Sequence, residues 1–192
     1  MNLQTLPGLF ISHGSPMLAL NPEQVGPALE RLSLNLPKPT AIIIMSAHWE
    51  SNALEVSSAV RPETWHDFRG FPPELYELRY PAPGDPQLAE EILNLFSEAH
   101  IPAHANSTRP RDHGVWMPLF HMYPQANIPV VEISLPMNIS AQEIYEIGQT
   151  LEILREKQIL LIGSGSITHN LRELSWQGEN TNVPEWASTF RN

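Results

Sequence analysis

Two histidines stand directly after strongly apolar runs: His13 follows GLFIS (8–12), and His48 follows AIIIMSA (41–47). Short apolar runs in an α/β chain read as buried parallel strands, and open α/β sheets place their ligand sites at the carboxyl ends of such strands. Two imidazoles delivered to that edge suggest a metal. Gly14 and Pro16 supply the sharp turn and fixed exit that let a strand end present His13 into a crevice. The chain has no cysteine, so nitrogen and oxygen donors must hold any metal. It also lacks a His-Glu-x-x-His pattern, which removes the zincin type of site.

The other histidines divide by their surroundings. His169 ends a run from a buried strand through a glycine-punctuated turn, ILLIGSGSITH (159–169), and is expected at the same sheet edge. A phosphate-binding turn is the rival reading of GSG, but no Lys-Ser or Lys-Thr follows. His113 lies between Asp112 and Gly114 just ahead of a helical segment, so the pair is either a capped loop or part of a site. His121, in PLFHMY (118–123), reads as packed against a backbone carbonyl, and His100 and His104 as surface residues.

The elements that would carry these side chains alternate. Strands are expected at 9–12, 41–46, 101–106, 129–135 and 159–163, with helices at 22–34, 86–99 and 140–157. Asp85 is a candidate N-cap, and Ser140 with Glu143 makes a capping box. The result is a single α/β domain with a mostly parallel central sheet flanked by helices. The connection 61–86 is proline-rich and lacks periodicity, and loops of that length tend to be functional.

Composition narrows the partners. A formal net charge of −10 over 192 residues leaves no basic stripe for nucleic acid or anionic lipid. No apolar run approaches the roughly 20 residues that span a bilayer. The amino terminus lacks the basic and apolar stretches of a signal peptide, so the expected location is cytoplasmic.

Six segments, in order along almost the whole chain, resemble one family: FISHGSPM (10–17), SAHW (46–49), HDFRGFP (66–72), YPAPG (80–84), DHGVW (112–116) and GSGSITHNL (163–171). They look like the motifs of the class III extradiol ring-cleaving dioxygenases of the 4,5-DOPA dioxygenase type. That resemblance implies an α/β protein with a non-haem metal, Fe(II) for activity and Zn2+ as commonly isolated. Its substrates would be O2 and a small aromatic diol, a catechol such as DOPA, opened beside and not between the hydroxyls. His13 and His48 match the family's first two metal ligands, and His169 matches a histidine that serves as acid/base or as a further ligand. His113 matches an active-site histidine that meets substrate or oxygen. Trp49, Phe68, Phe71 and Trp116 are available either to wall a ring or to fill the core.

The family's remaining ligand comes from a Pro-Thr-Pro-Glu-His type motif near the carboxyl terminus, and no histidine follows His169. The expectation is therefore a catalytic-type domain (1–192) without its C-terminal segment, with apolar surface around 176–190 open to self-association as a homo-oligomer. Two rival readings stand beside the dioxygenase: a zinc-dependent hydrolase on a similar scaffold, and a degenerate, non-catalytic metal-binding protein.

Overall fold

Runs of Ile, Val and Leu build the sheet in the computed structural model, which describes residues 5–170, 172 and 183–191. In chain order the strands are β1 (Gly8–Ser12), β2 (Ala41–Ser51), β3 (Leu54–Ser57), β4 (Ala103–Asn106), β5 (Val130–Pro136) and β6 (Ile159–Gly165). They lie in the order β1-β6-β2-β5-β3-β4. The first four are mutually parallel, so their carboxyl ends share one edge, while β3 runs antiparallel to β5 and parallel to β4. This is the mostly parallel α/β sheet that the sequence predicts. Strand β3 was not foreseen, because four residues (LEVS) are too few for periodicity to stand out.

The helices are α1 (Val25–Leu34), α2 (Pro86–Glu98), α3 (His113–Met122), α4 (Ala141–Leu151) and α5 (Glu185–Arg191). Alternation along β2 divides the core: Ile42 and Ile44 join a cluster with Leu29 of α1 and Val115 and Leu119 of α3. Ile43 joins the other, with Leu88 and Ile92 of α2 and Ile147 and Leu151 of α4. Asp85 caps α2 by accepting from the Leu88 amide, and Ser140 with Glu143 completes the expected capping box of α4. The third predicted helix is shorter than expected. After Leu151 the chain tightens into a 3-10 turn, Glu152–Lys157, which ends at Gln158 in the left-handed region (φ 60°).

Two local departures prepare the site. Strand β2 does not stop at Ser46 but continues to Ser51, with a register shift against β5 between Met45 and Glu50. His48 therefore lies in an irregularity inside a long strand and not at a strand end; such bulges re-aim side chains. The long connection after β3 is also pinned. Arg111, 1% exposed, donates to the carbonyls of Ala82, Pro83 and Val130, and its amide donates to the Glu63 carbonyl. Tyr80 adds a hydrogen bond to the Tyr123 carbonyl at 3.0 Å. The loop is thus part of the rigid scaffold.

Of the segment expected to self-associate, α5 follows Pro184 and leaves Trp186 43% and Phe190 69% exposed. Trp176 and Leu171 lie outside the described residues. Among the described residues, no helix is long and apolar enough to cross a membrane.

Candidate metal centre

His13 leaves β1 at the shared carboxyl edge, its amide still extending the ladder to the Gly165 carbonyl. The turn behind it needs Gly14, whose φ is +70° and whose missing Cβ would sit 2.8 Å from the Leu18 side chain. His13 is 3% exposed, and its Nδ1 lies 2.9 Å from Ser164 Oγ. The Ser164 hydroxyl donates its own proton to the Gly114 carbonyl at 2.5 Å, so the imidazole must be the donor in the pair. That fixes the tautomer: Nδ1 carries hydrogen, and Nε2 presents a lone pair.

Nε2 of His13 faces Nε2 of His48 at 3.0 Å. His113, the first residue of α3, closes the group; its ring centroid lies 4.0 Å from that of His48 and 5.3 Å from that of His13. One donor atom from each of the three residues falls within 4.8 Å of the others. Asp67, from the pinned loop, takes His113 Nδ1 at 2.9 and 3.0 Å, accepts the His113 amide, and approaches His48 Nδ1 at 3.7 Å. His13 and His113 thus tie Nδ1 to a protein oxygen, while Nε2 of His13 and Nε2 of His48 meet in the interior. This is how proteins commonly orient metal-bound histidine.

Electrostatics favour the neutral form of His13 and His48. Burial, with the neighbouring His113 and His48, pushes His13 down to about 4, and burial with His113 lowers His48 as well. Burial would raise the Asp67 carboxyl, but its hydrogen bonds and charge contact with His113 outweigh that and hold it below the usual range. Neutral imidazoles beside an ionised carboxylate fit a divalent cation. The 3.0 Å separation fits too. Two nitrogens about 2.1 Å from one ion and at right angles lie about 3.0 Å apart.

The floor beneath the rings is polar and closely fitted. Ser46 on β2 and Ser164 on β6 are register partners. Ser164 steadies His13, while Ser46 donates to Asp112 Oδ1 at 2.7 Å. Asp112 caps α3 through the Gly114 amide, so the capped-loop reading of the Asp112-His113 pair holds, and the same cap brings His113 to the group of rings. A Cβ on Gly114 would stand 2.4 Å from Ser46 Oγ and 3.0 Å from His48 Cδ2, which is why α3 can dock this closely only with glycine there.

Phe68 edges toward His113, with centroids 5.7 Å apart, and packs on Phe71 and Tyr76. Trp116 is instead core, fully buried with Nε1 bonded to the Trp65 carbonyl, and Trp49 is buried under the Arg109 guanidinium. His169 is exposed beyond β6, outside the three-imidazole group, yet near enough that its charge would lower both His13 and His48. His121 bonds the Leu18 carbonyl at 2.8 Å as expected of a packing residue, and His100 and His104 are exposed.

The sequence over residues 7–192 matches the family described as the catalytic LigB subunit of aromatic ring-opening dioxygenase. This chain belongs to the LigB family. It is 40% identical over 191 residues to 4,5-DOPA dioxygenase extradiol of Escherichia coli K12, covering 99% of this chain and 69% of that protein. It is 41% identical over 164 residues to the protein of the same name from Beta vulgaris, covering 83% and 61% respectively. The fold is shared with a crystal structure of an uncharacterized protein from Escherichia coli K12, at a TM-score of 0.78 and 33% identity, over 97% of this chain and 70% of that one. The chain therefore spans about two thirds of the length of these relatives, and the family resemblance seen in its motifs is borne out.

Sequence reasoning missed Asp67, Ser46 and Ser164. Asp67 sits inside the HDFRGFP motif, so its position was visible, but nothing local says that a residue 46 positions before His113 will hold its ring. The two serines look like ordinary strand residues until the register of β2 and β6 is known.

Proposed function

We propose that this chain is a metal-dependent extradiol dioxygenase acting on a catechol, with DOPA as the model substrate suggested by the names of its relatives. The supporting observation is the convergence of His13, His48 and His113, with Nδ1 of His13 held by Ser164 and Nδ1 of His113 held by Asp67. In this reading His13 and His48 hold a divalent metal through Nε2. Iron(II) there would supply a chelation point for both catechol oxygens and a route for electrons from catechol to O2.

The chain's own groups then handle position and protons. His113 Nε2 takes a catechol hydroxyl proton, and the Asp67 carboxylate stabilises the resulting imidazolium through Nδ1. Phe68 covers one side of the ring. His169, on the solvent side, returns a proton to the product or adds a third nitrogen to the metal. The reaction balances without another reductant: one ring C–C bond beside a hydroxyl-bearing carbon breaks, and both atoms of O2 enter the product as carboxylate and aldehyde oxygens.

Loading the purified chain anaerobically with Fe(II), then adding DOPA and air in an oxygen electrode, tests this reading. The expected result is one O2 consumed per DOPA and an open-chain product that carries both labelled atoms from 18O2. Quinone formation alone, or ester hydrolysis by the zinc-loaded chain with no oxygen uptake, would overturn it.

A further inference from the structure

Between β4 and α3 the chain places Arg109, a residue that neither the family motifs nor the metal reading uses. Its guanidinium lies between two indoles, with Cζ 5.0 Å from the Trp49 ring centroid and 4.9 Å from that of Trp65. Nη2 donates at 3.1 Å to the backbone carbonyl of His48 and at 3.0 Å to Asp112 Oδ2. Nε stands 4.0 Å from the buried carboxylate of Glu132 on β5. The side chain is only 14% exposed, so these contacts are partly shielded from water.

Each contact leads to a different part of the centre. The His48 carbonyl belongs to the irregular stretch of β2 that aims the His48 ring, where ladder bonds to β5 are interrupted. Asp112 caps α3 and so sets the direction of His113. Trp65 precedes the HDF stretch by one residue, and its amide and carbonyl are held by the Arg111 carbonyl and Trp116 Nε1. One planar cation therefore fastens the three segments that deliver His48, His113 and Asp67. Lysine offers neither a planar fork nor a flat face for two indoles.

We propose that Arg109 is a positioning residue that, through their backbones, places His48 for metal binding and His113 beside it. The inference rests on the metal centre proposed above, but it also predicts behaviour of the metal-free chain, which separates the two. The test uses the full chain carrying Arg109→Lys, the milder Trp65→Leu, which removes one face of the stack, and Ile92→Val in the opposite core as a stability control. Co(II) alone is the probe.

Wild type should bind one Co(II). Arg109→Lys should lose about 10- to 100-fold in affinity with a changed visible d–d spectrum, and Trp65→Leu should lose less. Ile92→Val should lower the melting temperature with affinity unchanged. In metal-free protein labelled with 15N-histidine, the His48 and His113 ring signals should move in Arg109→Lys and hold in Ile92→Val. Arg109→Lys with wild-type ring signals, or with Co(II) affinity within threefold and the same spectrum, would overturn the inference even if it melts earlier. If wild type binds no Co(II), the metal reading fails and the ring signals alone decide the role of Arg109.

Discussion

Replacing His13 or His48 by alanine is expected to remove metal binding and to cut ring cleavage by about a thousandfold or more, because each substitution deletes a nitrogen from the pair that faces across 3.0 Å. His13→Ala should also change the acid stability of the metal-free chain. His13 titrates at about 4 when folded and near 6.5 when unfolded, so the unfolded chain binds the proton first. Stability is then full above about pH 6.5 and declines as pH falls toward 4, by about 3 kcal/mol in all. His13→Ala removes the part of that decline due to His13, while His48, also lowered by burial, keeps its own. Metal stoichiometry, turnover and urea midpoints at pH 7 and pH 4.5 check both parts; unchanged stoichiometry in both alanine variants would refute the ligand assignment.

Asp67→Asn is expected to leave the metal in place and lower kcat by about 10²- to 10³-fold. The asparagine amide can donate to His113 Nδ1, which moves the ring hydrogen to Nε2 and blocks the nitrogen that must accept the substrate proton. It also removes the charge that stabilises the imidazolium. Steady-state rates over pH 5.5–9, with metal content measured alongside, separate this from simple loss of metal. A kcat within threefold of wild type would mean that His113 is not the base.

The sheet was legible because four of its strands are apolar runs bounded by glycine, proline or polar residues, and their alternation with helices admits one fold class. His13 was legible for the same reason: a strand, a histidine and a glycine that permits the turn. His48 stands out by type, but the strand does not end before it: beyond the apolar run 41–47, pairing with β5 resumes at Glu50 and Ser51. The partners were illegible. Asp67, Ser164 and Arg109 reach the centre across 46, 151 and 61 residues of chain respectively, and such contacts depend on register and docking and not on local pattern. The aromatics show the same limit: Trp116 and Phe68 are equally apolar, and only the position of α3 makes one core and leaves the other beside His113.

The most direct measurement is anomalous diffraction from crystals of the chain loaded with one equivalent of Zn2+, with data on both sides of the zinc edge. The expected result is one strong peak bonded to Nε2 of His13 and Nε2 of His48, with Asp67 still on His113 Nδ1. A peak elsewhere on the surface, or none at this group of rings, would contradict it.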